Sequence, residues 1–181
     1  LLLAWPSQNG FGIKPIGLAQ LSGIVKAAGY PCDLFDSTYI DLSGSDENDR
    51  TLLTLSSKFY KPVKDQSYYR AVKKQKLYLK TEYFKKLNEF QPDIIGISAL
   101  SDERHLGFEL SRLAKEWNKN AVVVWGNKLC TMDPEAVLKN ESVDYVCRGE
   151  GYNFILEFMN CMENGEDPRS LNNIGYRTNE G

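Results

Sequence analysis

Short apolar runs that alternate with helix-length segments constrain the fold of this chain more than any other feature. Ile94–Ser98 and Val122–Trp125 are almost continuously apolar, as strands buried on both faces of a sheet are. Three weaker runs, Leu1–Ala4, Tyr30–Asp36 and Val143–Cys147, repeat the pattern. Five strands that alternate with helices predict an α/β fold, in which a parallel sheet is covered on both faces and joined by right-handed crossovers.

The segments between these strands carry apolar residues at helical spacing. Gly29 ends the first helix, and Asp133 followed by Pro134 begins the fourth. We expect a flavodoxin-like, Rossmann-like strand order of 2-1-3-4-5, which brings the carboxyl ends of the strands to one edge. The predicted helices span residues 15–28, 66–90, 103–118, 134–138 and 152–163.

Residues 41–90 interrupt this alternation and are expected to form a helical insertion after the second strand. The insertion is rich in tyrosine, and its long helix carries a lysine-rich face. That face is either solvated or a surface that docks another domain or an anionic substrate.

Composition excludes several classes of protein. The chain has 181 residues, the size of one domain, and its net charge of −2 gives no general attraction to nucleic acid or anionic membranes. No apolar run approaches the roughly 20 residues that cross a bilayer. Because the chain opens on Leu1 within an apolar run and lacks an initiator Met, we expect a fragment of a longer protein. The cysteines lack metal-ligand spacings, which favours reduced thiols in a cytoplasmic protein; they are Cys32, Cys130, Cys147 and Cys161.

Motifs of common catalytic and nucleotide sites do not occur in the sequence. No G-x-G-x-x-G follows the first strand, and there is no P-loop and no G-x-S-x-G elbow. The one histidine, His105, stands near a helix start without a histidine partner. We therefore expect no catalytic residue and no metal ligand in this segment. The loops after the fourth and fifth strands instead carry Gly126, Gly149 and Gly151, which let the backbone approach a bulky ligand.

Four motifs in a fixed order resemble those of a known family. Pro15–Leu21 reads PIGLAQL, Asp36 ends the second strand, Gly126–Glu135 reads GNKLCTMDPE, and Arg148–Tyr152 reads RGEGY. This series resembles the cobalamin-binding domain that precedes the radical SAM domain in B12-dependent radical SAM enzymes. The corresponding motifs of that family are P-x-G-L-A-x-L, a strand-ending aspartate, G-G-x-H-x-T-x-x-P-E and R-G-E-G-E. The resemblance covers nearly the whole chain apart from the insertion.

The resemblance implies a cobalamin-binding domain at residues 1–165 and a linker at residues 166–181, with a connecting strand at Ile174–Arg177, that leads to a C-terminal radical SAM domain. It implies cobalamin, and methylcobalamin in particular, with its nucleotide tail buried at the sheet edge in the base-off form. The full-length protein would also bind S-adenosylmethionine and a 4Fe–4S cluster. It would carry out radical methyl transfer, or related B12-dependent radical chemistry, on a small molecule or peptide. The segment alone is expected to be non-catalytic.

The cofactor residues that the resemblance implies lie in the loops that follow the strands. They are Pro6, Asn9, Gly10, Asp36, Ser98, Leu100, Ser101, Gly126, Asn127, Lys128, Leu129, Thr131, Arg148, Gly149, Glu150 and Gly151.

Three positions depart from the family motifs. Asn127 replaces the second glycine, Leu129 replaces the histidine, and Tyr152 replaces the final glutamate. The segment around His105 resembles the D-x-H-x-x-G cobalt-ligand motif only with the wrong spacing and after the wrong strand, so we expect no histidine ligand and Leu129 packed under the corrin. Two alternatives stay open. One is a domain that has lost cobalamin and serves as a docking or recognition module, and the other is a flavodoxin-like domain for a different nucleotide cofactor.

Overall fold

The computed structural model describes residues 1–7, 15–40, 79–101 and 103–178, and within them the chain forms a six-stranded sheet with flanking helices. The strands are β1 (Leu2–Trp5), β2 (Asp33–Asp36), β3 (Ile94–Ser98), β4 (Val122–Gly126), β5 (Tyr145–Cys147) and β6 (Ile174–Tyr176). The helices are α1 (Ile16–Ala27), α2 (Leu79–Phe90), α3 (Arg104–Trp117), α4 (Lys128–Met132), α5 (Pro134–Leu138) and α6 (Gly151–Glu163), with 3₁₀ turns at Ser37–Tyr39 and Pro168–Ser170.

The strand order is β2-β1-β3-β4-β5-β6, and the sheet is mixed. The first five strands are parallel and take the predicted order, whereas β6 runs antiparallel to β5. The prediction of a purely parallel, five-stranded sheet was therefore wrong. Because the chain returns from α6 through a short 3₁₀ turn, β6 can add only to the nearby β5 edge, and one antiparallel edge strand is common on such sheets.

Hydrogen bonds on both sides of β6 hold it against the sheet. The Arg148 amide donates to the carbonyl of Asn173 at 2.7 Å. Just after β6, the Arg177 guanidinium donates to the carbonyls of Leu138 and Val143, at 3.0 Å for Leu138. The stretch predicted as a linker, residues 166–181, thus contributes an edge strand. That a radical SAM domain follows it stays a prediction.

Alternate side chains of the inner strands enter two separate cores, one on each face of the sheet. In β1, Leu2 and Ala4 pack on the side of α2 and α3, whereas Leu3 and Trp5 pack on the side of α1 and α6. The near-continuous apolar runs follow from this arrangement, because both faces of each strand are buried. The helices contribute Tyr83, Leu87, Leu106, Leu110 and Leu113 to the first core and Leu18, Val25, Phe154, Ile155 and Phe158 to the second.

Two predicted helical regions differ in extent from the observed elements. Of the helix predicted over residues 66–90, the described part is Leu79–Phe90, and the remainder, like residues 41–78 of the insertion as a whole, lies outside the described residues. The short helix α4 was predicted as a loop, since five residues are too few for a periodic pattern. In the described part of the chain, no helix combines the length and apolarity needed to span a bilayer.

A tryptophan of β4 fixes how closely α3 approaches the sheet. Trp125 is fully buried, and its ring stacks on Phe108 with centroids 4.7 Å apart. Its indole N–H donates to Ser111 Oγ at 2.8 Å, and that hydroxyl donates to the Gly107 carbonyl at 2.9 Å. A Cβ atom at Gly107 would lie 2.7 Å from Cη2 of Trp125, closer than real side chains pack. The absence of a side chain at Gly107 therefore makes room for the indole.

Two helical glycines are expected to respond in opposite ways to alanine. Gly107→Ala should lower the free energy of unfolding by about 1–3 kcal/mol, because overpacking outweighs the gain in helix propensity. Gly23→Ala is the matched control: Gly23 is exposed on α1 and a Cβ there meets nothing within 4 Å. It should raise the free energy of unfolding by about 0.5–1 kcal/mol. Urea denaturation of both variants measures these changes, and stabilisation by both would contradict the packing described for Trp125.

Candidate ligand-binding site

A cavity of about 700 Å³ opens at the carboxyl edge of the sheet, on the side covered by α1 and α6. Its rim consists of the loops after β3, β4 and β5 together with the first turns of α1 and α6. Exposed apolar side chains stand at this rim, with Ile16 70% and Met132 82% accessible. The wall residues that belong to the buried core on the α1–α6 side, called the floor below, are Leu3, Trp5, Leu18, Val124, Cys147, Phe154 and Ile155.

Nine of the sixteen predicted cofactor residues lie in the cavity wall. They are Ser98, Leu100, Gly126, Asn127, Lys128, Thr131, Gly149, Glu150 and Gly151. The structure thus brings together the ends of β3, β4 and β5, as the parallel order requires. Their role in binding a cofactor stays a prediction.

The other predicted residues lie elsewhere. Asp36 caps the 3₁₀ turn after β2, where its carboxylate accepts from the Thr38 amide at 2.9 Å. Leu129 packs against the core on the α2–α3 side, because α4 turns its apolar residues inward instead of forming an open loop. That Leu129 also packs under a bound corrin stays a prediction. Pro6, Ser101 and Arg148 do not line the cavity, and Asn9 and Gly10 lie outside the described residues.

Side-chain hydrogen bonds tie the three rim loops to one another. Asn127 Nδ2 donates to Ser98 Oγ at 3.2 Å, which joins the loops after β3 and β4. The Gly149 amide donates to Thr131 Oγ1 at 2.8 Å, which joins the loops after β4 and β5. Both hydroxyls act as acceptors in these bonds. Each therefore keeps a hydrogen that it can donate to a ligand in the cavity.

The backbone at Asn127 adopts a conformation that glycine favours. Its φ is +95° and its ψ is 174°, in a region that other residues seldom occupy. The tolerance of asparagine for positive φ applies mostly to the left-handed helical region, so the conformation of Asn127 is strained. The side chain also compensates for the strain, since its Oδ1 accepts from the Lys128 amide at 2.7 Å and caps α4. The replacement of the second motif glycine by Asn127 is thereby explained.

Glycines keep the cavity open. A Cβ atom at Gly126 or Gly17 would meet no atom within 4 Å, and both residues line the cavity. Side chains at these positions would occupy cavity space without displacing protein atoms. Gly149 has a different role, because its φ of +89° is itself a conformation that favours glycine.

The floor is apolar and its thiol is neutral. Burial, with a smaller contribution from Glu150, raises the pKa of Cys147 to about 11, so the thiol stays protonated near pH 7. Burial raises the pKa of Cys130, on α4, to about 12. The Trp5 indole N–H is buried and has no acceptor among the described residues. Among those same residues, no three His, Cys, Asp or Glu side chains converge as a metal site.

Sequence reasoning missed the part of the wall that comes from helices. Leu18 and Leu21 of α1 and Ile155 of α6 carry the apolar spacing of a core helix and pack inward, but they also border the cavity. Helical periodicity cannot separate these two roles, because a core and an apolar cavity wall produce the same spacing. Gly17, within the first motif, was the signal that could have placed α1 at the site.

The part of the chain that carries the rim loops matches a known family. Residues 70–158, about half of the chain, match the model of the B12 binding domain. This chain carries a B12-binding domain. The matched residues include β3, β4, β5 and the loops that follow them, so most of the rim lies inside the match.

Two curated relatives share this part of the chain. An uncharacterized methyltransferase of Pyrococcus horikoshii is 29% identical over 94 residues, which cover 51% of this chain and 20% of the relative. The anaerobic magnesium-protoporphyrin IX monomethyl ester cyclase of Rubrivivax gelatinosus is 28% identical over 100 residues, which cover 53% of this chain and 18% of the relative. The chain thus spans about a fifth of the length of these relatives.

Solved structures extend the likeness of fold to nearly the whole chain. The radical S-adenosylmethionine methyltransferase TsrM from Kitasatospora setae, with cobalamin and a 4Fe–4S cluster bound, superposes with a TM-score of 0.70 over 99% of this chain and 27% of its own. A second TsrM structure, with tryptophan substrate and a SAM analog, gives 0.71 with 29% of its chain covered. The apo cobalamin-dependent S-adenosylmethionine radical enzyme OxsB gives 0.64, with 99% of this chain and 21% of its own covered. At 17–18% identity these likenesses show the fold. The B12-binding domain resembles those of cobalamin-dependent radical SAM methyltransferases, as the motifs indicated.

Substitutions of Asn127 separate backbone strain from hydrogen bonding. Asn127→Ala should lower the free energy of unfolding by about 2 kcal/mol, because it loses the cap and the bond to Ser98 while the backbone keeps a positive φ. Asn127→Gly loses the same bonds but relieves the strain, so its effect should be less than half as large. Urea denaturation checks the order of the three proteins. Equal destabilisation by alanine and glycine would mean that the backbone conformation does not explain this position.

Proposed function

We propose that this B12-binding domain holds cobalamin with its nucleotide tail in the cavity and presents it to a radical SAM domain that follows in the full-length protein. The observation that carries the proposal is the open cavity at the carboxyl edge, whose wall contains Gly126 and the other glycines of the motifs. The family match covers the same loops.

The residues of the wall fit such a ligand. Gly126 and Gly17 leave room where side chains would otherwise stand, and the apolar floor can cover an aromatic base. At the rim, the Ser98 and Thr131 hydroxyls and the exposed Lys128 amine are donors for the phosphate and ribose oxygens of the tail. The polar part of the tail would thus face the rim and its base the floor.

We further propose that the domain binds cobalamin base-off and without a protein ligand to cobalt. The cavity wall contains no histidine among the described residues, and His105 belongs to the first turn of α3, outside that wall. The domain would therefore hold its cofactor through shape, backbone and tail contacts. Bound cobalamin supplies a cobalt-bound group, such as methyl, for transfer.

For the whole protein we propose radical methyl transfer or related radical chemistry that depends on cobalamin, S-adenosylmethionine and a 4Fe–4S cluster. Two kinds of similarity support this: the motifs that the chain shares with the family, and the likeness to TsrM, a methyltransferase. The likeness to an ester cyclase keeps related reactions within the proposal. The substrate would be a small molecule or a peptide. The domain itself would bind and position the cofactor without catalysing the reaction.

Reconstitution with hydroxocobalamin tests cobalamin binding. The purified protein should retain corrin absorbance after desalting, with the visible spectrum of a base-off cobalamin. A protein that stays colourless after reconstitution would contradict the proposal and favour a domain that keeps the fold as a docking module. Retention with a base-on spectrum would contradict only the base-off form.

A glycine-to-tryptophan pair locates the site within the protein. Gly126→Trp should abolish retention, because its side chain would enter open cavity space without disturbing the core. Gly23→Trp is the matched control, since Gly23 is equally open but lies on the exposed face of α1. This variant should retain cobalamin like the unmodified protein. Unchanged uptake by Gly126→Trp would show that the tail does not occupy this cavity.

A further inference from the structure

The floor of the cavity offers hydrogen-bond donors and almost no acceptor. Of its side chains, only Trp5 and Cys147 carry a polar atom. The Trp5 indole N–H is a donor only, and no described residue accepts its hydrogen. The Cys147 thiol lies 3.9 Å from the Glu150 carbonyl, toward which it donates, and sulfur is a weak acceptor.

The backbone behind the floor supplies no further acceptor from the inner strands. β1, β3 and β4 each pair with strands on both sides, so their carbonyls are engaged within the sheet. The polar side chains of the wall lie at the rim instead, where Thr131, Lys128 and Glu150 are exposed. A group that reaches the floor therefore meets apolar atoms and donors, whereas a group that remains at the rim meets both donors and acceptors.

The lack of acceptors at the floor should favour some of the bases that corrinoid tails carry over others. A glycosidically linked benzimidazole, such as the base of cobalamin, has one ring nitrogen that accepts a hydrogen bond and no N–H group that donates one. Adenine adds an exocyclic amine with two N–H donors. Burial of that amine at the floor would leave its donors unpaired, which costs roughly tenfold or more in affinity.

Resting on the proposed function, we infer that the floor makes this domain selective for corrinoids whose tail base lacks an N–H donor, so that benzimidazole bases bind in preference to adenine. The space around the base is lined by apolar side chains that offer no acceptor: Leu3, Val124, Phe154 and Ile155. The one strong polar atom of the floor is the indole nitrogen of Trp5, which is itself a donor. The selectivity therefore arises because the N–H donors of the adenine amine would find no acceptor at the floor.

Three corrinoids test the inference in parallel titrations of the purified protein, with binding measured by equilibrium dialysis and visible absorbance. The probes are cobalamin, the corresponding corrinoid with adenine as its base, and cobinamide, which lacks the nucleotide tail. Cobalamin should bind most tightly, with a Kd at least about tenfold below that of the adenine form.

The possible outcomes separate the inference from the function on which it rests. Equal affinity for cobalamin and the adenine form, with both tighter than cobinamide, would overturn the selectivity and leave the proposed function intact. Equal affinity for all three would show that the tail does not reach the floor, which also overturns it. Failure to bind any corrinoid would overturn the proposed function itself.

A matched pair at Cys147 tests the hydrogen-bonding cause. In Cys147→Ser the hydroxyl places an oxygen acceptor at the floor and offers its lone pairs to a ligand amine. It should narrow the ratio of the two Kd values severalfold. Cys147→Ala makes similar room without an acceptor and should leave the ratio unchanged. An equal change of the Kd ratio in both variants would contradict hydrogen bonding as the cause of the selectivity. The Kd ratio of the unmodified protein tests the selectivity itself, even where a variant fails to fold.

Discussion

The in-register pairing of β3 with β4 is the constraint on which the carboxyl edge depends. Ser98 lies opposite Gly126, so the two strands end at the same level and their loops leave the sheet side by side. Only this alignment lets Asn127 reach Ser98 across the strands. A shift of one residue would also exchange the side chains that face the two cores, because alternate residues of each strand belong to opposite faces. The burial of both faces therefore fixes the shape of the rim.

The sequence predicted those strands and helices in which the spacing of apolar residues repeats over several turns or residue pairs. The runs Ile94–Ser98 and Val122–Trp125 identify buried strands, and their alternation with amphipathic segments leads to the order of the first five strands. The strand β6 has three residues with no alternation that marks it, and only the resemblance to the family predicted a connecting strand at Ile174–Arg177. Its place at the edge of this sheet depends on the partners that Arg177 and β5 provide. The helix α4 depends on a cap from Asn127, which periodicity does not detect.

The candidate site also has a part that the sequence predicts and a part that it does not. Loops after parallel strands converge by topology, so Ser98, Gly126 and Gly149 could be brought together from the sequence alone. The contribution of α1 and α6 could not, because Leu18 and Phe154 carry the spacing expected of any core helix. Whether an inward-facing side chain meets another side chain or an open volume depends on what stands opposite it. At Gly126 and Gly17 no atom lies within 4 Å of where a Cβ would stand, so both positions border open space.

The three departures from the family motifs acquire separate physical explanations in the structure. Asn127 keeps a backbone conformation suited to glycine and adds a cap, and Leu129 fills the core beside α3. Tyr152 donates its hydroxyl to Gln20 at 2.6 Å and so ties the first turn of α6 to α1 across the cavity rim. None of these side chains fills the cavity, and two of them connect the elements that surround it.

Loss of a motif residue is therefore distinct from loss of the site, since the wall retains its open volume when the histidine position becomes leucine. The cavity and the three substitutions therefore occur together in this domain, and the proposed ligand-binding role needs none of the replaced side chains.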